Sequence, residues 1–274
     1  MKKITVIILA LALALAPSCK NQKNKKVVKE VEKTEISEKE KNLTEELKAN
    51  LKNLAESAKQ LKTIAFIQKK SDGSFTLTED EKLVKPDYLV DPAVVDELVT
   101  LSQKYRCWTM LGVDKMVCEL YDMPVTEYES AIARLIADLN DPAIDSFAGI
   151  DWNVDETVKA ELDKFVDAEY SAGRAPFMWD AVAASLVEQM YVITRNIDLF
   201  MPLFDDQSAA DFTYNFVTVH ERILDLMEFY PEMENLNDAL LPLYVINAIT
   251  ADQLKSQLME LKGEIEIVRE FLLN

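Results

Sequence analysis

The residues of this 274-residue chain that could do chemistry are few in type: three cysteines, one histidine and an excess of carboxylates, with 48 acidic against 30 basic side chains. A single histidine excludes a di-iron site built on two Glu-x-x-His pairs, and any metal centre that needs two or three imidazoles. The five glycines, at 73, 112, 149, 173 and 263, are too scattered for a phosphate-cradling loop, where backbone N–H groups must converge on one anion. Neither a Gly-x-Ser-x-Gly elbow nor a Cys-x-x-Cys pair occurs. Asp72-Gly73-Ser74-Phe75-Thr76-Leu77-Thr78-Glu79 matches the closing half of a calcium loop. Its opening half would place Gln68 and Lys70 at ligand positions, and an ammonium group repels Ca²⁺. The Asp-Gly step reads better as a tight hairpin turn. Asp151-Trp152-Asn153-Val154-Asp155 imitates the opening half of such a loop, but Glu156 stands where glycine is needed and Leu162 where glutamate is needed. It reads as a helix cap. No metal and no cofactor is expected.

Cys107 and Cys118 are eleven residues apart. On one helix they return to nearly the same face, but their Cα atoms stand about 16 Å apart, whereas a disulfide needs less than about 7 Å. Two separately buried thiols are expected, and a disulfide only if Gly112 breaks the helix into antiparallel pieces. His220 lies beside an apolar helical stripe and is expected as an ordinary, partnered side chain of the packing. Carboxylates are so numerous that a pair suited to sugar hydrolysis could exist, but no spacing singles one out. No catalytic residue is assigned.

The stretch 176–204 is apolar almost all round, with polar residues sparse at Asp180, Ser185, Glu188 and Arg195. Such a helix in a water-soluble body is a central one surrounded by others. Trp179, Glu188 and Arg195 are the candidate ligand-binding residues. Trp179 and Arg195 are expected near or within the core, with Arg195 seven residues beyond Glu188 on the same face. A structural polar network is the favoured reading of the Glu188–Arg195 pair, ahead of a ligand pocket, because an unpaired buried charge costs several kcal/mol. Aromatic residues between 191 and 230 could line a groove, but an ordinary helical core is the favoured reading.

The elements that would position these residues are helices. Asn42 with Glu45 is a plausible cap, followed by Leu47, Leu51, Leu54, Ala58, Leu61 and Ala65 in 4-3-4-3-4 spacing. Thr250 to Gln253 is a capping box, and Leu254, Leu258, Leu261, Ile265, Val268 and Leu272 behind it repeat the same seam. Two such terminal helices could bury their seams against each other or against the body. A homodimeric coiled coil is the alternative, weakened by a seam of only about three heptads. Between them, Asp91-Pro92 predicts the start of a long helix, Thr126 to Glu129 a capping box with a helix to Leu139, and Asn153 with Glu156 a helix ending near Gly173. Pro176 opens another to about Phe200, Ser208 with Asp211 the next, and a helix near 236–249 should kink at Pro242. The expectation is all-α: a single compact bundle of about seven to nine helices over residues 42–274, with a small hairpin near residues 66–78.

The first residues, MKKITVIILALALALAPSCK, join two lysines to an apolar run from Ile4 to Ala16. The run is shorter than the roughly 20 residues that span a bilayer and fits a secretory signal, residues 1–18. Cys19 behind Ala16-Pro17-Ser18 resembles the lipobox of bacterial lipoproteins, although Leu15 stands four residues before the cysteine where the family has leucine at three. The resemblance implies acylation of Cys19 and a membrane held through the lipid. It also leaves Cys107 and Cys118 as an even pair. Lys20 directly after the cysteine, in place of aspartate, implies the outer membrane, with the protein facing the periplasm. Residues 19–41 form a charged tether with eight lysines and five glutamates, unable to bury a core. Residues 42–274 then carry a net charge of −23, which opposes nucleic-acid binding and permits a cationic protein or peptide partner. The chain thus reads as an envelope-anchored binding or scaffold module for a protein, peptide or small ligand. An all-α hydrolase with a carboxylate pair and a self-associating spacer are the alternatives.

Overall fold

A computed structural model describes residues 45, 49, 77–141, 143–144, 164–165 and 167–274. The signal, Cys19, the tether, nearly all of the 66–78 hairpin, the Asn42 and Asn153 caps and every residue of the N-terminal seam lie outside the described residues. Glu45 and Ala49 are helical and exposed. Among the described residues the chain forms helices and no strand, so the fold is all-α.

Two long helices form its axis. The first, α2 (Leu101–Leu120), follows a five-residue α1 (Glu79–Leu83) and begins at a complete capping box. Thr100 Oγ1 accepts the Gln103 N–H at 3.1 Å, and Gln103 Oε1 accepts the Thr100 N–H at 2.9 Å. These bonds satisfy two of the donors that a helix start leaves open. Next, α3 (Thr126–Leu139) packs on α2 and ends at Asn140, whose φ of 46° and ψ of 49° make it the left-handed cap that asparagine tolerates. The central helix, α4 (Ala175–Arg195), carries Pro176 in its first turn and is buried from Ala175 to Thr194, apart from half-buried Phe177. It lies against α2 with both helices running the same way, since Ser102 and Arg106 bond to Asp180 toward their starts and Asn196 bonds to the Tyr121 hydroxyl just past their ends. A segment from 84 to 100 is strapped across α2 and α3. The Val90 N–H donates to Asp114, and the Val90 carbonyl accepts from Tyr128.

After α5 (Ile197–Phe200) the chain turns into α6 (Asp206–Met227), which buries Phe212, Phe216, Val219, Ile223 and Leu226. It continues through α7 (Met233–Leu240) to α8 (Ala251–Glu260) and α9 (Lys262–Leu273). The C-terminal seam is spent inside this body. Leu254, Leu258, Ile265, Val268 and Leu272 are all buried and Leu261 is half-buried, with α9 against α2 and α4.

Several local expectations are corrected. Asp91-Pro92 opens only a 3₁₀ turn, Pro92–Asp96, and the long helix waits for the better cap at Thr100. Thr126 is the first helical residue and not the cap. The helix expected to begin at Ser208 is capped one turn earlier, by Asp205 accepting the Ser208 N–H at 2.8 Å. The helix opened by Pro176 stops at Asn196. Pro242 ends a helix instead of kinking one, because α7 passes into a 3₁₀ turn, Leu241–Leu243. The terminal seam, read as one helix, is divided at Leu261 while its apolar side stays on the core.

Candidate functional site

The α2–α4 contact carries ionisable groups in two places. Near one end Asp180 on α4 receives Arg106 from α2, with Nε at 2.8 Å and Nη2 at 2.6 Å, and the Ser102 hydroxyl at 2.6 Å. Asp180 is 2% exposed, so its charge is met by three donors instead of water. Eight residues along both helices, Asp114 on α2 meets Glu188 on α4, both fully buried. Glu188 accepts Arg269 of α9 in a two-pronged bond, Nε at 2.7 Å and Nη2 at 2.8 Å, and that guanidinium lies 4.0 Å from the Tyr191 ring centre. Asp114 Oδ2 accepts the Val90 N–H at 2.6 Å, while Oδ1 faces no donor. Burial first, and the neighbouring Glu188 second, push the Asp114 carboxyl well above the usual range, against the pull of the Val90 N–H and Arg269. As an acid, Asp114 is the donor and Glu188 the acceptor, which accounts for the oxygen left open.

A second carboxyl pair sits where α3 ends. Asp141 accepts the Tyr105 hydroxyl and lies 3.0 Å from Arg174 Nη1, which also reaches the Tyr105 oxygen and the Leu139 carbonyl, each at 3.2 Å. Glu169, fully buried, faces no donor at either oxygen. Burial, then the Asp141 carboxylate beside it, push the Glu169 carboxyl up to about 9. A protonated Glu169 donating to Asp141 resolves both observations.

These arrangements can store protons and hold helices in register. They are ill suited to sugar hydrolysis, for which two carboxylates must flank a substrate about 5–10 Å apart and be open to it. Among the described residues no group of three or more histidine, cysteine or acidic side chains could hold a metal, and no helix is long and apolar enough to cross a membrane. Comparisons with family models, curated proteins and solved structures return no match.

The three candidate ligand residues do not share a site. Trp179 is fully buried, its indole N–H directed at the Tyr170 hydroxyl at 3.4 Å. Glu188 is in the core, but its cation is Arg269 and not Arg195. Arg195 is exposed at the end of α4, 3.8 Å from Glu266 and about equally far, 5.5 and 5.6 Å, from the rings of Tyr88 and Tyr191. The expectation that Arg195 lies in or near the core is therefore corrected: helix α4 stays buried through Thr194, and only its last residue, Arg195, reaches solvent. Cys107 and Cys118 are free, buried thiols on one unbroken helix, so Gly112 makes no hairpin and the candidate disulfide is not formed. Burial raises their thiols to about 12 and about 11 respectively. His220 is half-buried, its ring stacked 3.3 Å from that of Tyr244, and burial lowers its pKa.

Sequence reading missed Asp114, Arg269, Asp141, Glu169 and Arg174. A signal existed for two. Asp114 interrupts the apolar run Met110-Leu111-Gly112-Val113, and Arg269 directly follows the seam residue Val268. A charge on a core-facing position requires a buried partner. Which partner each takes is a tertiary fact that spacing along one helix does not contain.

Proposed function

We propose that this chain is an envelope-anchored lipoprotein whose helical body works as a non-enzymatic binding or scaffold module. The observation that carries the reading is the use of the unusual carboxyls. Asp114 and Glu169, the two carboxyls among the described residues with markedly raised pKa, are fully buried, and each is locked to a second carboxylate that an arginine holds. A general acid needs its raised pKa where a substrate can reach the proton; here the proton is spent between two packed helices or at a helix end. The anchor rests on the resemblance of Cys19 and its flanks to a lipobox, and on the lysine-rich tether behind it. A partner of net positive charge suits a body of charge −23 over residues 42–274.

Intact-mass spectrometry of protein extracted from membranes tests the anchor. A mature chain beginning at an acylated Cys19 is expected, and an unmodified Cys19 would reject it. The binding reading is tested by substitution. If the purified protein hydrolysed a glycan or peptide, and Glu169→Gln or Glu188→Gln abolished that activity without changing the melting temperature, the hydrolase would replace it.

A further inference from the structure

Helix α9 turns Ile265, Val268, Arg269 and Leu272 into the body, so Ile267 stands near the middle of its outer face and is 62% exposed. The fold gives this isoleucine little burial. Glu264 lies three residues before it and Glu270 three after, on the same face and both exposed. Among the described residues neither of these carboxylates forms an ion pair or accepts a hydrogen bond, whereas Glu266 beside them faces Arg195 at 3.8 Å. Phe271, four residues beyond Ile267, is 39% exposed. Arg106 lies 5.4 Å from its ring centre, and that guanidinium is held by Asp180. Past the end of α9, Gln103 donates to the Asn274 carbonyl and accepts the Val99 N–H at 3.0 Å. This brings Val99, 83% exposed, to the end of the same strip. Gly263, four residues before Ile267, leaves the first turn bare, and a side chain there would meet nothing within 4 Å. The open apolar residues of α6 are a poorer candidate, because Glu221 between Val217 and Leu224 is already paired with Arg222 at 3.4 Å.

We propose that the outer face of α9 is the docking surface for a cationic amphipathic segment of a partner protein. The proposal rests on the binding-module reading and gives it a place and a partner chemistry. The apolar side of the segment lies on Ile267 and Phe271, with a large side chain over the bare turn at Gly263. Lysine or arginine on its two flanks meets Glu264 and Glu270. Charge selects this occupant. An acidic segment, a second copy of this chain or an anionic lipid surface meets like charge, on the strip and in a body of −23 over residues 42–274. A neutral segment strips water from two carboxylates and offers them no partner. From Glu264 to Asn274 the strip is about 15 Å long, room for about three turns of a docked helix. A contact this small is reversible.

Titrating a fluorescein-labelled amphipathic lysine–leucine peptide, LKKLLKLLKKLLKL, with the full mature chain and following its anisotropy tests this. Saturable binding that weakens as salt rises is expected. Glu264→Gln with Glu270→Gln should raise Kd at least about tenfold, and so should Ile267→Ser, which changes no charge. Glu127→Gln with Glu232→Gln removes the same charge from exposed positions on other parts of the body and should raise Kd less than about twofold. Equal weakening by the two pairs would reduce the binding to net charge and overturn the proposal. So would binding indifferent to Ile267→Ser, or no saturable binding at all. Saturable binding that ignores every α9 substitution would overturn this surface and leave the module reading standing. Cleavage of the peptide, seen by mass spectrometry of the mixture, would overturn that reading and the proposal with it. If a variant lost its helical dichroism, amide exchange of the unaltered chain decides. The peptide should slow exchange in α9 at least about twofold and leave α6 unchanged, and protection confined to another face would overturn the docking.

Discussion

Glu169→Gln keeps the shape of a protonated glutamate and its N–H can take over the bond to Asp141, but it cannot ionise. In the unfolded chain a glutamate loses its proton near pH 4.3, whereas in the folded protein Glu169 holds it up to about pH 9. Across that window the native state binds one more proton than the unfolded state, so stability falls as pH rises, by roughly 1.4 kcal/mol per pH unit for one such group. Below the window both states are protonated and the contribution is fully present; above it both are ionised and the loss is complete. From pH 6 to pH 8 the wild-type chain should lose about 3 kcal/mol through Glu169 alone. In a body of this size that corresponds to a fall of about 6–12 °C in melting temperature. Asp114 adds a loss of the same sign, which the variant retains. Urea unfolding followed by far-ultraviolet dichroism at pH 6, 7 and 8 measures the difference. Glu169→Gln should flatten the pH dependence and be the more stable protein at pH 8. Parallel pH profiles, or a variant weaker than wild type at pH 8, would show that Glu169 is ionised in the folded protein and would refute the account of the Asp141–Glu169 pair.

Three further outcomes follow from the packing. Arg269→Met should destabilise the fold by about 3–5 kcal/mol, because it strands Glu188 in the core; adding Glu188→Gln should recover a large part, as a double-mutant cycle by urea unfolding would show. Leu258→Ala, on the fully buried α8 seam, should cost about 2–5 kcal/mol by the same assay, whereas Val217→Ala, at an exposed position of α6, should stay within about 0.5 kcal/mol. Cys107 and Cys118 should resist a thiol reagent in native protein at pH 8 and react fully in urea, with no mobility change on reduction; rapid native labelling would contradict their burial.

The all-α fold was legible because the apolar positions of α3, α6 and the C-terminal seam recur at helical spacing, and that period survives whatever the neighbours do. The central place of α4 was legible too, since a helix apolar all round has no side fit for water. Helix starts were less so. Asp91-Pro92, Thr126 and Ser208 each carry the right residue types, but a cap is decided by which backbone N–H groups the fold leaves unpaired, and Thr100 and Asp205 won that competition. The site was hardly legible. Glu188 was singled out correctly as a buried charge and given the wrong cation, because Arg195 is its neighbour along the helix while Arg269 is its neighbour in space, 81 residues away in the chain.

Residue order alone determined the helical class, the C-terminal seam, the acidic balance and the absence of a two-histidine metal centre, since each depends only on composition or on local period. The tertiary structure decided which carboxyl meets which arginine and which of them keeps its proton. Those depend on distances between segments far apart in the chain, and on the water that packing removes from between them.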